Sequence, residues 1–349
     1  MNYRFSEYVS PGHPDKVADY ISEYLLDRYL EQDPATRYAV EVLIKGTQVT
    51  LAGEVTSKAD FSDGEITSFV KEAVRRIGYT QAYQDKWGRE NTISAEDLVV
   101  TKHIEQQSPE IAMGVNRDAW GDQGVFYAYA CPEEENFGMS KEYALAKRLN
   151  HELFVSGLGG LDIKTEVILD GDNVHEVIAA VPTIGDDTEP IKQLIHQVIP
   201  GEYKLVVNGT GVYHQHGPVA DTGVTGRKLA VDFGTGRIGG GCPWTKDATK
   251  ADLSLNLYAR RMAKVASEGA HEPVEVSIAC CIGQPDILVS TKFLKSGEII
   301  SADSPLKITP QMVTKMFGLD KPVYADMCWY GPFGEYQQDK PWEKSLKDM

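Results

Sequence analysis

The amino-acid sequence predicts an α+β protein of three similar domains, each a sheet with helices on one face. Three observations lead there. A helix, a strand hairpin, a second helix and a closing strand recur three times along the chain. Its 349 residues exceed one ordinary core and suit two or three domains of roughly 100–150 residues. The composition, 42% hydrophobic and 25% charged, is that of an average globular protein.

The first unit opens with a helix over 14–30, where Val17, Ile21, Leu25 and Tyr29 recur every fourth residue. Alternating strands over 38–45 and 48–56 follow, joined at Gly46. A second helix carries Ile66, Phe69, Val70, Ala73, Val74 and Ile77 inward, and a strand closes the unit at 98–104. The second unit has a helix over 141–155 and strands over 163–169 and 174–181 across a DGDN turn, a strong hairpin signal. A helix over 191–198 and a strand over 203–207 complete it. In the third unit we read a strand over 228–233, a helix over 250–266, strands over 274–282 and 287–293, and a helix over 311–317. Cuts near 105 and 220 give domains 1–105, 106–219 and 220–349, with strands open to exchange between units.

No apolar run approaches the ~20 residues that cross a bilayer, so no membrane partner is expected. The opening MNYRFSEYVSPGHPDK has no signal-peptide apolar stretch, which points to the cytoplasm. Five cysteines without a CxxC pair read as reduced, mostly buried thiols. A net charge of −16 argues against nucleic acid, whose phosphates repel such a surface. Any positive charge that is concentrated in this chain must therefore be local.

Three constellations concentrate it. GHPDK, 12–16, heads the first helix: Pro14 suits the first helical position and leaves free N–H groups and the positive end of the dipole facing outward. Such a terminus accepts phosphate. His13 adds a proton donor, Asp15 a hard oxygen for Mg²⁺, and Lys16 a fixed charge, though a capped helix with a solvated ion pair reads equally well. DTGVTGRK, 221–228, sets Arg227 and Lys228 beside small residues, where backbone and cations approach one ligand; a surface basic pair is the alternative. GGGCPWTKDATKAD, 239–252, puts Lys246, Lys250 and Asp252 at another helix start behind three glycines. Together they describe a polyphosphate–magnesium cradle. GTGRIG, 234–239, spells GxGxxG but lacks the acidic ribose partner about 20 residues on. His214 and His216 of HQH offer no third metal ligand.

At these motifs the chain resembles the methionine adenosyltransferase family. GHPDKVAD, GDQG (121–124), DTG with TGRK, GGG…KD…KAD and the tail FGEYQQDKPWEK come in the family's order, with EQDP, GEVT and QQSPEI between them. The resemblance spans nearly the whole chain and implies three α+β domains in pseudo-threefold symmetry. It implies that ATP and L-methionine form S-adenosylmethionine, with the triphosphate hydrolysed to pyrophosphate and phosphate. It also implies two Mg²⁺ ions on Asp15 and Asp252, a K⁺ on Glu41, and a homodimer or dimer of dimers with shared sites.

By the same resemblance His13 lies beside the ribose 5′-oxygen. Arg227, Lys228, Lys246 and Lys250 hold the triphosphate, with Lys164 reaching in from a partner subunit. Glu54, Gln107, Asp122 and Asp221 surround methionine and the nucleoside, Lys250 also serving methionine. Asp162, Tyr213, Asp221 and Cys242 belong to the ATP site, Tyr213 where the family stacks an aromatic ring on adenine. The chain departs from the family in a shortened gating segment, AMGVNRDAW (112–120), where Trp120 is placed to anchor against the nucleotide or a neighbouring domain. Other departures are CPWT at 242–245, Val212 in place of a common arginine, and VPT at 181–183.

Overall fold

A computed structural model describes residues 2–106, 118–234, 236–239 and 241–345. The first third of the chain runs β1 (Tyr3–Val9), α1 (Pro14–Gln32), β2 (Arg37–Lys45), β3 (Gln48–Thr56), α2 (Asp63–Ile77), α3 (Gln81–Trp87) and β4 (Val99–Glu105). The middle runs β5 (Gly124–Ala130), α4 (Lys141–Ser156), β6 (Lys164–Asp170), β7 (Asn173–Ala180), α5 (Glu189–Val198) and β8 (Lys204–Val207). The last third runs β9 (Gly223–Val224), α6 (Leu229–Phe233), α7 (Ala251–Ala270), β10 (Val274–Cys280) and β11 (Asp286–Phe293). After these come β12 (Ile299–Ser301), β13 (Leu306–Lys307), α8 (Pro310–Phe317) and α9 (Tyr324–Trp329).

Local chemistry sets these bounds. In β2 the alternation sends Tyr38, Val40, Val42 and Ile44 inward and leaves Glu41, Leu43 and Lys45 outward, as a half-buried strand requires. Each such buried aliphatic side chain contributes about 1.5–3 kcal/mol. Gly46, at φ 52°, turns the chain into β3. Ser62 and Glu65 form a reciprocal capping box at the head of α2, and Gly78 stops it.

Three sheets result, in the orders β4-β3-β2-β9, β8-β7-β6-β1 and β12-β11-β10-β5. In each, a hairpin follows a long helix that packs on one face: α1 on β2, α4 on β6, α7 on β10. The strand beside the hairpin is always borrowed. β1 precedes α1 yet pairs with β6; β5 precedes α4 yet pairs with β10; β9 precedes α7 yet pairs with β2, all antiparallel. The first third thus lends a strand to the second, the second to the third, and the third to the first. The likeness is closest between the first two sheets, whose outer strands β4 and β8 run parallel to their neighbours; β12 is antiparallel.

One reading needs correction. The alternating LAVDF over 228–233 is not a strand but α6, closed by Gly234 at φ 73°. Five residues suit one helical turn as well as a strand, and here Val231, Asp232 and Phe233 are all buried, which alternation forbids.

Candidate active site

The site grows from the free edge of β2. Residues 223–224 pair with Ile44 and Leu43. Thr225 exchanges hydrogen bonds with Val42, its N–H reaching the Val42 carbonyl at 3.1 Å and its hydroxyl accepting the Val42 N–H at 3.2 Å. One turn along the same edge, the Thr245 carbonyl accepts the Val40 N–H at 3.0 Å and Lys246 bridges Ala39. Asp247 accepts the Tyr38 N–H at 2.8 Å. A single strand edge therefore lays the two cation-bearing segments end to end. Glu41 faces the seam between them, its carboxylate accepting the hydroxyls of Thr245 at 3.0 Å and of Thr225.

The head of α1 abuts the first segment. His13 caps the helix through Nδ1, which accepts the Asp15 N–H at 3.1 Å, so the neutral ring carries its proton on Nε2. Burial holds the His13 imidazole well below its usual pKa, reinforced by the charges of Lys228, Lys164, Lys16 and Arg227. One carboxylate oxygen of Asp15 accepts the Val224 N–H at 2.9 Å; the other lies 2.6 Å from Lys228 Nζ. Lys16 does not serve the site. It is buried, paired with Asp19 at 3.1 Å and Asp232 at 2.8 Å, and lies over the Trp244 ring.

The head of α7 repeats this arrangement. Lys250 is its N-cap, as His13 is of α1, and Asp252 stands at the second helical position, as Asp15 does. One oxygen of Asp252 accepts the Gly241 N–H at 3.2 Å; the other lies 3.2 Å from Lys246 Nζ. Cys242 faces Gly226 at contact distance and shares the electrostatic surroundings of Glu41 and Lys246.

Asp15 and Asp252 fit Mg²⁺ of the kind that brings its own phosphate oxygens, which needs only one or two protein carboxylates. Each has one oxygen fixed by backbone and one on a lysine ammonium that phosphate would draw away. Among the described residues no three His, Cys, Asp or Glu groups form a cage of their own. Glu41, flanked by two hydroxyls, supplies the all-oxygen surroundings a K⁺ takes.

Other expected residues fall around this core. Lys164 stands opposite Val9, close enough for its charge to act on His13 of its own chain. Asp162 is buried, with Oδ2 on the Gly217 N–H at 3.0 Å and Oδ1 without a hydrogen-bond partner; burial raises its pKa, opposed by Lys164. Tyr213 and Asp221 share its surroundings.

Asp122 accepts the Cys280 thiol through its backbone carbonyl at 3.5 Å, and the charges of Asp122 and Asp252 both act on that thiol. Glu54 is exposed on β3, opposite Ala39, and the structure joins it to none of the others. Gln107, with residues 112–117 of the gating segment, lies outside the described residues. His216 is no ligand: both ring nitrogens are engaged, by the His214 carbonyl at 2.8 Å and the Tyr83 hydroxyl at 2.6 Å. Thr225, two residues ahead of Arg227, joins the site with no expectation attached to it, and Thr245, one ahead of Lys246 and noted only as part of the CPWT departure, joins it through Glu41.

The N-terminal domain of S-adenosylmethionine synthetase matches residues 2–109, and its C-terminal domain matches residues 215–344. The chain is 32% identical to the S-adenosylmethionine synthase of Desulfosudis oleivorans, over 98% of this chain and 95% of that protein. To that of Brachyspira hyodysenteriae it is 33% identical, over 100% and 98%. It superposes on an unusual S-adenosylmethionine synthetase from Campylobacter jejuni with a TM-score of 0.86 at 28% identity, covering 99% of this chain and 97% of the other. With likeness of this extent in both sequence and fold, the chain belongs to the S-adenosylmethionine synthetase family.

Proposed function

We propose that this chain is a methionine adenosyltransferase that joins ATP to L-methionine. The observation that carries the reading is the cation set on the β2 edge. In a chain of net charge −16, Lys228 sits on Asp15 and Lys246 on Asp252, each aspartate also held by a backbone N–H, while Lys250 caps α7 and the charges of Arg227 and, from β6, Lys164 act on His13. The methionine thioether is nucleophilic enough to attack C5′ without a general base, so no activated serine or cysteine is called for. The C5′–O bond breaks and the triphosphate leaves with the electron pair. Stabilising that leaving group is what this cluster is built for.

In this reading the four cations of the two segments and Lys164 hold the triphosphate, and neutral His13 offers its Nε2 proton toward the ribose 5′-oxygen. Asp162, Tyr213, Asp221 and Cys242 hold the nucleoside; Glu54, Gln107, Asp122, Asp221 and Lys250 hold methionine. Asp15 and Asp252 would hold two Mg²⁺ ions and Glu41 a K⁺; bound metal neutralises the charge that develops on the leaving phosphates. The triphosphate is then hydrolysed to pyrophosphate and phosphate. The protein incubated with ATP, methionine, Mg²⁺ and K⁺ should yield S-adenosylmethionine by mass spectrometry, with equal pyrophosphate and phosphate. ADP or AMP as the nucleotide product would overturn the reading.

A second copy completes the site. The sheets expose Phe5, Leu43, Val125 and Leu288, Leu43 on the same face of β2 as Glu41, apolar surface that a second copy would cover. Light scattering should give a dimer or a dimer of dimers. Lys164→Ala mixed with Lys250→Ala should regain activity when subunits exchange; an active monomer would refute the shared site.

A further inference from the structure

Helix α1 is buried on nearly all sides, yet one of its faces is acidic. Asp15, Asp19, Glu23 and Asp27 recur every fourth residue, one above the next. Each accepts a backbone N–H, and together they hold three incoming segments. Asp15 takes Val224 at 2.9 Å, Asp19 takes Gly226 at 2.9 Å, and Glu23 takes Thr245 at 2.5 Å. Asp27 takes both Tyr324 at 3.0 Å and Ala325 at 2.9 Å. Gly226 immediately precedes Arg227 and Lys228; Thr245 immediately precedes Lys246.

The Glu23 rung is the most costly of the four. The side chain is wholly buried and its second oxygen, Oε2, has no hydrogen-bond partner, a loss of about 1–3 kcal/mol for such an acceptor. The residue it holds is strained as well. Thr245 sits at φ 74°, a left-handed conformation that a β-branched side chain seldom adopts. That turn is what throws Lys246 back toward Asp252, 3.2 Å away, while the Thr245 hydroxyl meets Glu41.

We propose that Glu23 is a positioning residue for the triphosphate. By accepting the Thr245 N–H it holds the left-handed turn and so fixes Lys246 between Glu41 and Asp252. Asp19 does the corresponding work for Arg227 and Lys228 through Gly226. One four-residue step of the helix, from Asp19 to Glu23, about 6 Å, thereby sets the spacing between the two groups of cations. The inference rests on the reading that these cations hold a triphosphate.

The test uses tripolyphosphate as the probe, titrated calorimetrically into the full-length protein with Mg²⁺ present. Wild type binds, and Glu23→Ala weakens binding about tenfold, the worth of one lost hydrogen bond, with methionine affinity unchanged. Glu23→Gln keeps an acceptor oxygen and stays within about twofold of wild type. Thr245→Gly, introduced into Glu23→Ala, restores affinity because glycine adopts the left-handed turn unaided. Should Glu23→Ala not fold, Glu23→Asp, one methylene too short, carries the same expectation. Wild-type protein that ignores tripolyphosphate would sink the functional reading itself. Wild-type binding with an unweakened Glu23→Ala, or failure of both truncations to fold, would overturn the positioning role.

Discussion

The two aspartates beside the lysines work under tight steric terms. A methyl group on Gly241 would meet the Asp252 carboxylate at 2.3 Å from Oδ2 and 2.5 Å from its carbon. Gly241→Ala must therefore push Asp252 off its seat, and turnover should fall at least about tenfold while the melting temperature barely moves. Asp15→Asn and Asp252→Asn each remove a hard anionic ligand and should abolish turnover with the fold intact, by circular dichroism; near-normal activity of either at limiting Mg²⁺ would mean the ligand is misassigned. His216 contributes through acid rather than chemistry. Burial pushes its pKa down to about 4, against ~6.5 in an unfolded chain. The unfolded state thus takes up a proton that the folded state refuses. Stability present above pH ~6.5 is lost as pH falls toward 4, by a few kcal/mol at the acid end. Urea midpoints measured across that range should slope less in His216→Asn than in wild type.

Elements differ in how plainly the sequence announces them. The long helices and the three hairpins are legible because their periodicity is local: Val17, Ile21 and Leu25, or Tyr38, Val40 and Val42, need no partner to reveal which way they face. β1 and β9 carry no such signal, and β5, though GVFYAYA alternates, gives no hint of the partner it pairs with. YRFSEYV has no single buried face, and its partner β6 lies some 160 residues away. The acid ladder also repeats every fourth position, but carboxylates on a helix are ordinarily solvated, and only the incoming segments reveal that Asp19, Glu23 and Asp27 are buried. Trp120 is anchored against the third unit, as one of the two expectations had it: wholly buried, with its indole N–H on the Ile308 carbonyl at 3.0 Å.

The tail is held just as firmly. Arg260 of α7, wholly buried, forks onto Glu343 at 2.7 and 2.9 Å, and Lys264 adds a third contact to that carboxylate at 3.3 Å. Glu343→Ala leaves two cations without their anion in the interior. It should cost about 3–5 kcal/mol in urea unfolding, far more than Lys340→Ala, whose partner Asp326 is exposed.

At the scale of the molecule the motifs told more than the boundaries. GHPDK, TGRK and GGG…KD…KAD lie more than 200 residues apart at their extremes, and only the β2 edge shows why they belong together. Because every sheet borrows the edge strand beside its hairpin, no third of the chain owns a complete core. A fragment of residues 1–105 lacks β9 and carries β1 with nothing to pair, so it should give no dispersed amide spectrum by NMR; a cooperatively folded fragment would contradict this. The loan also has a cost in time. β1 leaves the ribosome ahead of its partner, and β6 follows on the order of ten seconds later at ordinary rates of synthesis. For that interval the exposed aromatic residues Tyr3 and Phe5 ride on an unpaired edge, a template for any neighbouring nascent chain. The circle closes only when β10 reaches β5, so a ribosome stalled before residue 223 holds a first sheet without β9 and a β5 without its partner, and a holdase chaperone should be found bound there.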